Sequence, residues 1–236
     1  MQQVYKATDV GLVRRGNEDN LAVFDTVYVV ADGMGGEAAG EVASQMLVDM
    51  VRQELSGREH IDAGVMQSAI MKANQAIRQY VWEHPNCEGM GTTATILHIT
   101  PEGSHAFWAH VGDSRLYLLR AGQEQLEQLT QDHSYVEDLV REGTITREEA
   151  KHHPQRNMLT RAVGAMENLV VDTGELTVEQ GDMFLLATDG LMKHMTDTEI
   201  AHLLRQGEVD PAQSLVQTAL NAGGRDNVTV VVVSLT

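Results

Sequence analysis

With 236 residues, 42% of them hydrophobic, the chain is long enough to bury a full core as one large domain or two small ones. Its formal net charge of −17 excludes a general nucleic-acid binder, which needs a basic stripe to neutralise phosphates. No apolar run approaches the roughly 20 residues of a membrane helix, the start lacks the basic and apolar stretches of a signal peptide, and the lone Cys87 excludes an internal disulfide. A cytoplasmic chain without a membrane or nucleic-acid partner is therefore expected.

In chain order, residues 4–10 and 20–31 alternate in strand fashion, with Asp25-Thr26 as a turn. The glycines of Asp32-Gly33-Met34-Gly35-Gly36 break that pattern, and a helix follows on the stripe Ala39, Val42, Ala43, Met46, Leu47, Met50 and Val51, closed by Gly57. A second helix spans 62–83, with Asp62 as its N-cap. Strands return over 93–99, 106–111 and 116–120, with a turn at Pro101-Glu102-Gly103 and a corner at Gly112-Asp113. Residues 130–162 are charged, histidine-bearing and helical only in patches, and read as an inserted flap over the main sheet. Strands resume over 170–176 and 183–187, two helices cover 197–204 and 211–221, and residues 228–233 form an apolar run short enough for a fully buried strand. No linker cuts the chain, so one domain, 1–236, with a flap at about 130–162 is expected.

Four clusters place acids beside glycines or turn residues: Asn17-Glu18-Asp19, Asp32-Gly33-Met34-Gly35-Gly36, Thr188-Asp189-Gly190 and Arg225-Asp226-Asn227. Asp-Gly and Asn-Asp pairs are ordinary turn formers, so any one of these alone reads as a turn. Three of the four abut strongly apolar strands, however, and a carboxylate at the end of a buried strand is costly without compensation. Magnesium or manganese supplies it, since both favour carboxylate, carbonyl and water oxygens. The glycine-rich segment has neither Gly-Lys-Ser/Thr nor G-x-G-x-x-G spacing, which excludes a P-loop or dinucleotide fingerprint.

Arg14-x-x-Asn17-Glu18-Asp19, Asp32-Gly33-Met34-Gly35-Gly36, Gly91-Thr92-Thr93, Gly112-Asp113-Ser114-Arg115, Leu159-Thr160-Arg161-Ala162-Val163-Gly164, Thr188-Asp189-Gly190-Leu191 and Arg225-Asp226-Asn227 fall in one order along the chain. In that order they resemble the metal-dependent (type 2C, PPM) protein serine/threonine phosphatases, specifically their compact bacterial members. The resemblance implies an α+β fold, a four-layer α/β/β/α sandwich of two antiparallel sheets flanked by helix pairs. The strand and helix pattern is compatible with that fold without singling it out.

The resemblance also implies roles. Asp32 bridges two ions, Mn2+ or Mg2+, and Gly33 offers its carbonyl to one of them. Asp189 and Asp226 bind the first ion, while Glu18 and Asp19 hold the second directly or through waters. Asp113, with Asp189, takes a third, weaker ion. Arg14 holds the phosphate, where a guanidinium fork matches two oxygens. The implied reaction is attack on phosphorus by a hydroxide bridging the two ions. Met34 stands where some relatives carry a histidine proposed as proton donor, and a thioether cannot donate a proton. Arg115 reads as a structural anchor, and His133, His152 and His153 as surface or packing histidines. The expected partners are phosphorylated proteins, substrates of a serine/threonine kinase, met by a monomeric chain. Three other readings compete. A metal-free pseudophosphatase would lack one or more of the acids present here. A dedicated switch phosphatase usually carries a sensor domain, for which the length leaves no room. A phosphatase of small phosphometabolites is excluded by no residue.

Overall fold

The inner strands of this molecule are buried on both faces, the edge strands β1 and β9 alternate, and the long helices bury one stripe each. The computed structural model describes residues 1–35 and 39–236, so Gly36 of the glycine-rich motif lies outside the described residues. The elements are β1 (Gln2–Asp9), β2 (Asp19–Phe24), β3 (Val27–Met34), α1 (Ala39–Leu55), α2 (Ala63–Glu83), β4 (Gly91–Thr92), β5 (Ala94–Ile99), β6 (His105–Val111) and β7 (Arg115–Leu119). They continue with β8 (Leu126–Gln128), α3 (Tyr135–Arg141), α4 (Arg147–His152), β9 (Asp172–Thr177), β10 (Met183–Ala187), α5 (Asp189–Met192), α6 (Asp197–Arg205), α7 (Pro211–Asn221) and β11 (Val228–Leu235). Asp62 caps α2 as its sequence suggested, its carboxylate accepting the Val65 N–H at 2.8 Å. The 126–128 and 91–92 strands and the 189–192 helical turn have no counterpart in the periodicity.

Two antiparallel sheets result. One has the order β1-β11-β10-β7-β8; the other has the order β2-β3-β5-β6-β9, with β4 added beside β3. Three apolar layers hold them. Val27, Val29, Ala31 and Ile96 pack outward onto Leu47, Val51, Ile70 and Ile77 of α1 and α2. Tyr28, Val30, Leu97, Leu116, Phe184, Leu186, Val231 and Val233 fill the space between the sheets. Leu185, Val228, Val230 and Val232 meet Leu191, Ile200, Leu204, Leu215 and Val216 of α5, α6 and α7. This is the α/β/β/α sandwich. It explains why 228–233 is apolar at every position but Thr229: β11 lies inside its sheet, with helices on one face and a sheet on the other. Each such valine contributes about 1.5–3 kcal/mol by leaving water.

Antiparallel pairing also gathers the acids. The β2–β3 hairpin turns at Asp25, so its open end sets Asp19 opposite Asp32. β10 ends where β11 begins, with Ala187 opposite Val230, which brings Thr188-Asp189 beside Asp226-Asn227. β6 ends at Val111, just before Asp113. The segment 130–162 carries α3 and α4; a bridge from Ser134 to Leu159 closes it on itself, and Val163, just beyond it, bridges Thr92 of the body.

Candidate metal centre

A cleft of about 200 Å3 opens at this gathered end, lined by Arg14, Glu18, Asp32, Gly33, Met34, Gly35, Thr93, Asp113, Asn157, Leu159, Asp189, Lys193 and Asp226. Of the eight residues singled out by sequence, seven line it; Asp19 does not. Asp19 is buried behind Asp32, where its Oδ2 accepts the Thr188 hydroxyl at 2.8 Å. Asn157 and Leu159 show that the end of the insert forms one wall.

Each acid is held by its backbone. The Asp32 N–H donates to Thr93 Oγ1 at 2.8 Å, and that hydroxyl lies 2.7 Å from Ser114 Oγ in the corner that carries Asp113. The Glu18 N–H donates to Asn227 Oδ1 at 2.8 Å, while Glu18 O accepts from the Gly33 N–H at 3.1 Å and from Ser44 Oγ at 2.7 Å. Asn227 spends its amide on Val10 O and Gly16 O, at 2.9 and 3.0 Å, and so bolts the loop bearing Arg14 and Glu18 to the start of β11. Glycines are required here by close packing. A Cβ on Gly33 would lie 2.1 Å from Gly40 O, and one on Gly190 would lie 1.9 Å from Asn227 O.

The electrostatics are unbalanced. Five carboxylates line the cleft, and Asp19 stands behind them. Against these six the cleft offers two cations, Arg14 and Lys193, so full ionisation leaves four excess negative charges, the charge of two divalent ions. Burial pushes Asp32 well above its usual range, with Asp19, Asp189 and Asp113 adding repulsion. Burial, then Asp189, lifts Asp113 to about 8; burial lifts Asp19 to about 7 against its hydrogen bonds from Thr229 and Thr188. Burial also raises Glu18 and Asp189, opposed by Arg14 and Lys193 respectively. Asp226 is the exception: burial would raise it, but Lys193 and Arg14 together hold it below the ordinary carboxylate range.

Those two cations were unequally legible. Arg14 grips Asp226 with both prongs, Nε to Oδ1 at 2.7 Å and Nη2 to Oδ2 at 3.0 Å. Lys193, which the motifs did not single out, bridges Asp189 Oδ2 at 2.6 Å and Asp226 Oδ2 at 2.7 Å. Among the described residues, no group of three or more His, Cys, Asp or Glu side chains stands in metal-holding geometry. The donor set nevertheless fits hard divalent cations. It is all oxygen, with no Cys or His lining the cleft, and its uncompensated charge is what such cations neutralise.

Under the insert the pattern is opposite. Arg115 donates to both oxygens of Asp132, at 2.8 and 2.7 Å, and to the Tyr117 hydroxyl at 2.8 Å. His133 is buried, so the surface reading of this residue does not hold; packing does. Its Nδ1 accepts the Gly112 N–H at 3.1 Å, which assigns the ring proton to Nε2, and that N–H donates to Asp172 Oδ2 at 2.9 Å. Arg161 completes the group, 2.7 Å from Asp172 Oδ1. His133 N–H also donates to Gly112 O at 2.7 Å, so the insert is clamped directly to the corner before Asp113. His152 is exposed on α4, and Cys87 is buried and free.

A larger cavity, about 620 Å3, lies at the far end of the hairpin against Asp25, Tyr28, Glu102 and Thr236. It has no Lys or Arg in its lining, and phosphate chemistry has nothing to hold there.

Comparison with known proteins agrees with this geometry. The family model described as Protein phosphatase 2C matches residues 16–223. Serine/threonine protein phosphatase PstP of Mycobacterium tuberculosis is 41% identical over 237 residues, covering 95% of this chain and 43% of that one. The chain therefore spans less than half the length of that relative. Protein phosphatase PhpP of Streptococcus pneumoniae is 36% identical over 244 residues, covering 97% of this chain and 95% of that one. The crystal structure of the PstP catalytic domain in complex with 2 manganese ions superposes with a TM-score of 0.90 at 37% identity, covering 99% of this chain and 97% of that one. An oxygen-lined cleft of uncompensated charge, reached at the ends of two packed antiparallel sheets, thus sits on a chain that belongs to the protein phosphatase 2C family of metal-dependent serine/threonine phosphatases.

Proposed function

We propose that the chain hydrolyses phosphoserine and phosphothreonine in proteins, with Mn2+ or Mg2+ held by Glu18, Asp32, Asp189 and Asp226. The observation that carries this reading is the charge of the cleft, six carboxylates against Arg14 and Lys193. The names of the relatives, serine/threonine phosphatases, support it, as does the manganese complex of PstP. Two divalent ions bound there would acidify a water shared between them and screen the phosphoryl oxygens.

The chain's own residues do the rest. Asp32, its N–H bonded to Thr93 Oγ1 and its side chain facing the other acids, would be the ligand shared by the two ions. Glu18 is presented by Asn227, and Gly33 offers its carbonyl beside it. Asp19, opposite Asp32 in the hairpin and bonded to Thr188, would reach an ion only through water. Arg14 is half exposed at the rim, and releasing Asp226 to an ion frees its fork for two phosphoryl oxygens. Asp113 lines the same cleft and, with Asp189, would hold a third ion. Met34 lines the wall but carries no proton, so delivery to the leaving alkoxide falls to the Asp113 side. On this reading the chain acts as a cytoplasmic monomer that reverses a serine/threonine kinase.

The test is hydrolysis of matched phosphopeptides in saturating manganese. Phosphoserine and phosphothreonine peptides should turn over much faster than phosphotyrosine peptides. Preference for phosphotyrosine, or turnover confined to small phosphometabolites, would overturn the reading.

A further inference from the structure

Lys193 lies one helical turn after Asp189, and α5 sends its side chain back over its own start. The ammonium sits between two different carboxylates, 2.6 Å from Asp189 Oδ2 and 2.7 Å from Asp226 Oδ2, and its side chain is 30% exposed. It is held firmly. Burial alone would lower its basicity, but the attraction of Asp189 and Asp226 outweighs burial and raises it. Its field also reaches Asp32 and Asp113, where it opposes the rise that burial imposes.

An ammonium that bridges two carboxylate oxygens does what a divalent ion does with the same pair. The two cannot share the place. A doubly charged ion coordinates oxygen at about 2.0–2.1 Å, and an ammonium left within a few ångströms of it in a half-buried cleft is strongly repelled. Asp226 is doubly committed, since its oxygens also receive the Arg14 fork. Glu18, by contrast, has no ion-pair partner within salt-bridge distance among the described residues. The two seats of the centre are therefore unequal: one is filled by a tethered cation and the other is open.

We propose that Lys193 is a built-in competitor, a tethered ammonium that holds the Asp189–Asp226 pair together until a divalent ion displaces it. This rests on the reading of Asp189 and Asp226 as metal ligands. Two consequences follow: the Glu18–Asp32 seat fills first, and the Asp189–Asp226 seat fills at a higher ion concentration. Arg14 and Lys193 are then both released into the cleft together, so the second ion both completes the centre and frees two cations to face a phosphoryl group.

Calorimetric titration of Mn2+ into chelator-stripped protein tests this without any turnover. Wild type should bind in two unequal events. Lys193→Met should tighten the weaker event by roughly tenfold and leave the tighter one in place. In chelator, Lys193→Met should melt at a lower temperature than wild type, because Asp189 and Asp226 lose the charge between them; saturating Mn2+ should close that gap. Lys193→Gln repeats both measurements, and circular dichroism in Mn2+ checks that each variant is folded. Identical isotherms and identical melting temperatures for wild type and both variants would overturn the competitor role alone. Weaker Mn2+ binding in both variants would overturn it too, making Lys193 a support of the site. Wild type that binds no Mn2+ would overturn the metal-centre reading itself.

Discussion

The corner at 112–115 separates two acidic regions with opposite charge balance. On the insert side, Asp132 is met by the Arg115 fork, and Asp172 by Arg161 and the His133 N–H. Each carboxylate there has its own guanidinium, and burial, helped by Arg161 and opposed by Asp172, lowers the pKa of His133 and favours the neutral clamp. On the cleft side, six carboxylates face two cations, and five of the six are pushed upward. Balanced charge closes a structure, because every group finds its partner within the chain. Unbalanced charge at the ends of buried strands destabilises the chain alone and is retained where an outside cation completes it. The same residue types thus serve architecture on one side of Gly112 and chemistry on the other.

Breaking the cleft side should separate activity from stability. Asp32→Asn keeps the shape and removes a carboxylate that burial and its acidic neighbours push upward. Turnover of phosphopeptide and aryl phosphate should fall to background, while the melting temperature in chelator holds or rises. A variant that loses stability along with activity would mean that Asp32 is a structural residue. Asp113→Ala should have the next largest effect, about 10²-fold in kcat on a phosphoserine peptide. On an aryl phosphate it should be much smaller, because a phenolate leaves without help. An Asp113→Ala enzyme as fast as wild type on the peptide removes the third ion from this account.

Breaking the insert side should do the reverse. Arg115→Ala leaves Asp132 with Gln128 alone among its side-chain partners and strips a donor from Tyr117. The pair is partly exposed, 23% and 13%, so the loss should be about 2 kcal/mol, below that of a fully buried pair. That corresponds to a fall of roughly 4–8 °C in melting temperature. Activity at 25 °C should change less than for either cleft variant. A larger effect on kcat than on melting temperature would erase the distinction between the two regions.

These regions were unequally readable from sequence. The core strand at 228–233 was legible because a strand covered on both faces favours apolar residues at nearly every position, here all but Thr229. The strand 126–128 was not, since Leu-Glu-Gln at a half-buried edge carries no pattern. The layering itself came from resemblance, because periodicity reports which face is buried and not what covers it. At the site, the acids announced themselves beside glycines at strand ends. Asn227 and Thr188 stood in those motifs without a role, and Lys193 stood outside them. Asn227 acts on Glu18 across 209 residues of chain, and Thr188 on Asp19 across 169. Lys193 is close in sequence to Asp189, yet its meaning depends on Asp226 arriving from the next strand. For His133 the sequence left surface and packing both open, because a histidine in a charged segment can be either, and only the folded chain buries it.

The central claim is that the cleft's uncompensated charge is the seat of the ions that make the chain a phosphatase. Native mass spectrometry of chelator-stripped protein, titrated with Mn2+ while hydrolysis of a phosphoserine peptide is followed in parallel, tests it most directly. The account predicts no turnover in the stripped protein, and turnover that rises as the second Mn2+ per chain is bound. Full turnover by protein carrying no ion would contradict it.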